Sequence, residues 1–184
     1  MLEVGGRPIL QRILTVLDAL VTERIVLAND DALREVAREA NLEIIFDPEP
    51  HAGVLPALAA GLGAASGEVC LAVACDMPFV SRRLFEGLLE LLDTTQADVV
   101  IPRTEEYLEP MHAVYRRAPV LAAIEAALAR GEHRMISYFP DVRVRQVSEP
   151  EWRPLDPAGR AFFNVNTPAD LAEAERLASD VERS

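Results

Sequence analysis

The chain has no lysine: its eighteen basic residues are all arginine. A phosphate loop that ends on a lysine therefore has no side chain to build on. Cysteine is nearly absent as well, with only Cys70 and Cys75. They lie an odd number of residues apart on one apolar run, which on a strand points them to opposite faces. They cannot bridge, and this fits a reducing compartment. The three histidines, His51, His112 and His133, are far apart and show no ligand spacing. With no paired-cysteine motif either, a zinc site has no support. No apolar run is long enough to cross a bilayer and no basic-then-apolar leader opens the chain, so the expectation is a cytoplasmic protein with no membrane contact. A G-x-S-x-G elbow is missing, and no G-x-G-x-x-G follows a strand, which removes a hydrolase triad and dinucleotide redox chemistry.

What is present is a chain of 184 residues, half of them apolar, suited to one domain over 1–184 with a sizeable core. The net charge of −12 argues against nucleic acid as a partner. Phosphates remain possible ligands, provided a metal, a local arginine cluster or backbone N–H groups receive them.

The organising stretch is Val69–Val80, VCLAVACDMPFV. Its first seven residues form a short continuous apolar run, expected as a strand buried on both faces and stopped near Asp76 by Pro78. From Ser81 the pattern turns helical, with Leu84, Phe85, Leu88, Leu89 and Leu92 on one face and Ser81 as cap. In open α/β sheets ligands lie outside the carboxyl ends of strands, where this places Asp76. A carboxylate there can hold a hard cation carrying phosphates, or can simply start a turn.

The rest of the chain repeats this logic. Gly5-Gly6-Arg7-Pro8 reads as a turn before an apolar-faced helix running from Ile9 to Leu20. Strands are expected at Arg24–Ala28, Glu43–Phe46, Asp98–Pro102, Pro110–Tyr115, Val142–Val147 and Phe162–Val165, the Val142 strand at an edge. Helices are expected at Ala32–Ala40, Val54–Ala65, Pro119–Ala129 and Glu132–Tyr138, and a last one capped by Thr167 with Pro168 at its first position. The class is α/β, a three-layer, mostly parallel sheet in the first half with a mixed second half. Asn29 and Asp47 join Asp76 at strand ends, though either alone reads equally as a cap or turn residue. Ala52-Gly53 opens a helix of small residues, leaving backbone N–H groups for an anion or base, or serving close packing. The rim of Asn29, Asp47, Asp76, Asn164 and Asn166 suits base and ribose hydrogen bonding plus a cation better than general acid–base work.

Over nearly its whole length, from LEVGGRPIL to FFNVNTPADL, the sequence resembles the molybdenum cofactor guanylyltransferases of the nucleotide-diphospho-sugar transferase-like superfamily. EVGGRP, VLAND, HAGVL, ACDMPFV, RGEHRM and NVNTPADL occur in that family's order. The CDMP element is shared with many nucleotidyltransferases, whereas RGEHRM together with NVNTPADL is narrower. The resemblance implies a Rossmann-like nucleotidyltransferase fold. It also implies Mg²⁺-dependent transfer of GMP from GTP to molybdopterin with release of pyrophosphate, and a protein partner that accepts the finished cofactor. By the same resemblance Asn29, Asp47, Ala52 and Gly53 contact the nucleotide. Asp76 binds Mg²⁺ and GTP as the catalytic carboxylate, and Asn164, Asn166 and Arg134 serve the second substrate. A related cytidylyl- or sugar-nucleotidyltransferase, or a non-catalytic nucleotide-binding remnant, stands as the alternative. In that family a glycine-rich loop ending in Asp-Lys precedes the residues that open this chain. The expectation is therefore that Met1 is internal to a longer protein. The 184 residues as written would then lack a first strand between Arg24–Ala28 and Val69–Cys75, and would not catalyse.

Overall fold

A computed structural model describes residues 2–27, 42–45, 53–105 and 107–181. The helix expected at Ala32–Ala40 and the rim residues Asn29, Asp47 and Ala52 lie outside the described residues.

The chain opens with a two-stranded hairpin, β1 (Glu3–Val4) against β2 (Arg7–Pro8). Gly5 and Gly6 form its turn at φ 58° and 65°. Two successive left-handed residues are what a tight hairpin turn requires, and glycine meets this without steric cost. Helix α1 (Ile9–Leu17) follows and buries Ile9, Leu10 and Ile13. Strands β3 (Ile25–Leu27) and β4 (Glu43–Ile45) pair in parallel.

A second sheet has the order β5 (Val69–Val73), β7 (His112–Arg116), β6 (Val99–Pro102), β8 (Val144–Val147). In it β7 alone runs against the other three, because it is antiparallel to both neighbours while β8 follows β6 in parallel. The strands carry helices on both faces, which makes three layers. On β6, Val100 faces a core shared with Ile13 of α1, with Leu84, Phe85, Leu88 and Leu92 of α3 (Arg82–Thr95), and with Ala174 and Ala178 of α6 (Pro168–Val181). Val99 and Ile101 face the opposite core, with Leu55, Leu58 and Leu62 of α2 (Val54–Ala64) and Val120, Ile124 and Ala127 of α4 (Arg117–Ala129). That two-residue alternation is the strand period made visible in packing.

Four expectations are corrected. Val69–Val73 is not buried on both faces: Val69 is exposed and the rest are half-buried, since β5 pairs on one side only among the described residues. Its ladder ends at Val73, so Cys75 sits in the following turn and not on the strand; both cysteines are free thiols. Glu132–Tyr138 makes no α-helix. Gly131 adopts φ 76°, and Ser137 and Phe139 N–H donate three residues back to Arg134 and Ile136, leading into a short 3₁₀ turn at Phe139–Asp141. Phe162–Val165 is not a strand either, because Phe163 N–H closes a turn onto Arg160 and no ladder forms. One short helix went unexpected, α5 (Glu149–Trp152). Its signal is in the sequence, since Ser148 and Glu151 make a capping box, with the Ser148 N–H donating to Glu151 Oε2 at 2.9 Å.

Candidate active site

Asp76 lies in the turn directly after β5. Met77 N–H donates back to the Ala74 carbonyl at 3.3 Å, and Ala74 N–H donates to Met111 at 3.2 Å, so the turn is tied to the loop before β7. Met77, Pro78 and Val80 are buried and anchor its far side. The Asp76 side chain is half-buried, and one carboxylate oxygen, Oδ1, is out of solvent with no hydrogen-bond partner. An unpaired buried acceptor of this kind costs on the order of 1–3 kcal/mol. Folding alone gives no reason to keep it.

The Asn164–Asn166 stretch is held against this turn by one backbone bond, Val165 N–H to the Asp76 carbonyl at 2.9 Å. The FFNVN residues alternate in role. Val165 is buried in the core. Phe162 sets its edge against His112 (centroids 5.3 Å) and Trp152 (4.9 Å), and Phe163 sets its edge against Phe79 (6.0 Å). Asn164 and Asn166 are left facing away from that packing. Asn164 Oδ1 is a second buried acceptor without a partner, while Asn166 is exposed. The stretch is fixed at its far end by the cap of α6. Thr167 Oγ1 accepts from Asp170 N–H at 3.2 Å, and Asp170 Oδ2 accepts from the N–H groups of Asn166 and Thr167 at 3.0 and 2.8 Å. These bonds, from Thr167 first, hold the Asp170 carboxyl below its ordinary range.

A cavity of about 430 Å³ opens beside Asp76, between the two sheets. Val26 of β3 lines one wall, Ala74, Cys75 and Asp76 another, and Leu2, Ile9 and Leu10 the rest. Gly53 stands at the N-terminus of α2 with φ 108°, a value that favours glycine, and an added Cβ would meet nothing within 4 Å. The N-cap of α2, Gly53, has no side chain to accept from the first N–H groups, and no side chain among the described residues does so.

The structure thus brings together Asp76, Asn164 and Asn166. Arg134 is exposed in the turn after α4, and no contact links it to them among the described residues. Asn29, Asp47 and Ala52 fall outside the described residues, so their convergence on this cavity is not placed. Sequence reasoning missed Arg12 of α1. Its guanidinium donates to the Pro78 carbonyl at 3.2 Å and the Val4 carbonyl at 3.0 Å, and lies 5.8 Å from the Phe79 ring centre. It also missed the packing of Phe162, Phe163 and Trp152 that aims Asn164, although the doubled phenylalanine before NVN was a readable signal.

A divalent cation fits the donors present. Asp76 Oδ1 and Asn164 Oδ1 are hard oxygen acceptors awaiting a positive partner. No group of three or more His, Cys, Asp or Glu converges anywhere among the described residues. No helix among the described residues is long and apolar enough to cross a membrane.

Comparison with known proteins agrees with this geometry. Residues 1–147 match the MobA-like NTP transferase domain. A protein of Pelotomaculum thermopropionicum named "Probable molybdenum cofactor guanylyltransferase" is 35% identical over 180 residues, covering 98% of this chain and 85% of that protein. The molybdenum cofactor guanylyltransferase of Desulfosudis oleivorans is 31% identical over 94% of this chain and 83% of its own length. The crystal structure of molybdopterin-guanine dinucleotide biosynthesis protein A from Archaeoglobus fulgidus superposes with a TM-score of 0.79 at 25% identity, over 96% of this chain and 88% of that one. The chain belongs to the MobA-like NTP transferase family, among the molybdenum cofactor guanylyltransferases.

Proposed function

We propose that the protein transfers GMP from GTP to molybdopterin and releases pyrophosphate. A phosphate oxygen of the acceptor forms a bond to the α-phosphorus of GTP as the α–β phosphoanhydride bond breaks and pyrophosphate departs. The observation that carries this reading is the Val165–Asp76 backbone bond of 2.9 Å. It sets Asn164 beside a strand-end carboxylate, each with a buried oxygen lacking a partner.

The chain's own residues position groups and carry charge rather than form covalent intermediates. Asp76 and Asn164 would hold a divalent cation, which we assign as Mg²⁺. When bound, the cation neutralises charge on the triphosphate. The open N–H groups at Gly53 are available to the nucleotide, together with Ala52, Asn29 and Asp47. Asn166, exposed beside the cation position, faces the acceptor, and Arg134 would meet it from the α4 side. The test is pyrophosphate release by full-length protein with molybdopterin and either GTP or CTP, with and without Mg²⁺. Turnover with GTP well above CTP supports the reading. Equal or reversed preference replaces it with the cytidylyltransferase alternative, and Mg²⁺-independent turnover removes the role given to Asp76.

A further inference from the structure

A second pocket, of about 480 Å³, lies on the other side of the Pro78–Val80 loop and shares no lining residue with the cavity at Asp76. Three arginines from three separate elements line it: Arg7 of β2, Arg12 of α1, and Arg160 in the loop before Asn164. We propose that this pocket binds a phosphate-class oxyanion.

The argument begins from the pairing of arginines elsewhere. In a protein of net charge −12, arginine normally finds a carboxylate, and among the described residues eight do so, Arg24, Arg82, Arg116, Arg130, Arg143, Arg145, Arg153 and Arg176. The three pocket arginines do not, among the described residues. Arg12 and Arg160 hydrogen-bond only backbone carbonyls, Arg12 to Val4 and Pro78, and Arg160 to Leu177 at 3.3 Å. The Arg7 side chain makes no hydrogen bond or ion pair among the described residues, its backbone alone being paired, with β1. Three carboxylates lie near, and one of them, Glu175, is engaged by the Gly5 N–H at 3.0 Å. Asp156 lines the pocket, but its Oδ2 is engaged by Ala161 N–H at 2.8 Å. Glu173 feels Arg160 only weakly and is paired with Arg176. Three guanidiniums against one carboxylate leave the pocket positive.

The guanidinium fork matches phosphate oxygens two at a time, which a lone carboxylate cannot exploit from three directions. The remaining wall is Thr15, Val16, Pro78, Phe79, Val80 and Ala158. The volume falls within the roughly 300–1,000 Å³ typical of small-molecule sites. Arg12 serves both this pocket and the Pro78 carbonyl, two residues beyond Asp76, so an occupant would be felt at the turn that carries the carboxylate.

The test is calorimetric titration of full-length protein with inorganic pyrophosphate at low salt, with EDTA present so that no cation supports binding at Asp76. Binding is expected in the wild type and in Asp76→Asn. It should weaken by about tenfold or more in Arg7→Ala/Arg160→Ala, as the loss of two charge-assisted contacts requires. Because Arg160 also bonds Leu177, Arg7→Glu at an exposed position without a side-chain partner among the described residues provides a second variant, its fold checked by melting temperature, and it too should weaken binding. Absence of binding in the wild type, loss of binding in Asp76→Asn, or unchanged binding in Arg7→Glu would each overturn the proposal. Repeating the titrations with GTP tells a nucleotide's phosphates from a free oxyanion, according to whether Arg7→Glu also weakens GTP. None of these outcomes depends on guanylyl transfer, so this inference and the proposed function fail separately.

Discussion

Asp76 and Asp98 are both aspartates at strand ends, and the fold treats them in opposite ways. Asp98, at the start of β6, is buried and fully occupied. Its Oδ2 accepts from Arg143 N–H at 2.9 Å and Nε at 3.1 Å, and its Oδ1 accepts from Nη2 at 3.0 Å. The Arg143 side chain, and then its backbone N–H, hold this carboxyl below its ordinary value. Asp76, at the end of β5, has a buried oxygen with nothing to accept. The first closes the seam between β6 and β8 and completes a hydrogen-bond set. The second is left costly by the fold, with an oxygen free to accept. Similar position and identical residue type therefore do not give similar purpose; the partners do.

Replacing Asp76 by asparagine should break the comparison most strongly. Turnover should fall by an amount equivalent to about 2–4 kcal/mol of transition-state stabilisation, by analogy with single electrostatic groups at other sites. Thermal stability should hold or rise, because a half-buried carboxylate with one unpaired oxygen is removed. Pyrophosphate release and a melting curve on the same preparation decide it. Near-normal turnover would make Asp76 a turn residue.

His112 offers the next largest effect. It is wholly buried on β7, stacked on Phe85 with centroids 4.4 Å apart, and neither ring nitrogen has a well-formed partner. Burial lowers its pKa from 6.5 to about 3, against a smaller upward push from the Ala161 backbone. The folded value is depressed, so the stabilisation of the neutral ring is complete above pH 6.5 and is lost as pH falls toward 3. At about pH 4 the loss should be on the order of 3 kcal/mol. The lowered carboxyls Glu23, Asp98, Glu151, Asp170 and Glu173 start from 3.8 to 4.5. Burial raises Glu109 from 4.5, a shift of opposite sign in its effect on stability, so the difference between wild type and His112→Phe isolates the share of the ring. Urea unfolding of His112→Phe should flatten there, and an unaltered slope would assign the titration elsewhere.

The sheet was legible where the sequence states its own period, and less so where neighbours decide. VVIP at Val99–Pro102 and VCLAV at Val69–Val73 are similar apolar runs, yet every residue of the first is buried and none of the second. Composition cannot separate them, because a place at the centre or at an edge of a sheet is a property of partners far along the chain. Asp76 was readable from the Asp-Met-Pro stop, and Thr167 from its place before Pro168. The 162–165 run misled because two phenylalanines and a valine that anchor a loop carry the same apolar signature as a strand. Arg12 was invisible, since its partners are backbone carbonyls at Val4 and Pro78 and no side-chain spacing announces them.

Removing the satisfied carboxylate should cost stability instead of catalysis. Asp98→Ala leaves the part-buried Arg143 N–H without its acceptor, and the expected loss is about 1–3 kcal/mol. The Arg143 side chain is 66% exposed, so solvent takes over much of its part and the lower half of that range applies. Turnover per folded molecule should match the wild type. A fall in turnover without a fall in stability would erase the contrast with Asp76.

The smallest effect tests whether the Asp76 turn depends on the helix that follows it. Ser81 caps α3, its Oγ accepting from Leu84 N–H at 3.2 Å. That helix buries Leu84, Phe85, Leu88 and Leu92 and packs on β6 and β7, so its interior is held by apolar contact whatever happens at the cap. Ser81→Ala should therefore cost only about 1 kcal/mol, the usual worth of a side-chain cap. Ser81→Asp should recover that loss, since it restores an acceptor and places negative charge at the helix N-terminus. The Asp76 turn has its own supports in Val165, Met111 and Arg12, and none of them passes through Ser81. Turnover should accordingly stay at the wild-type level in both variants while the melting temperature moves down and back. If Ser81→Ala lowers turnover beyond its effect on folding, the cap is part of what positions Asp76, and the carboxylate's placement extends into α3.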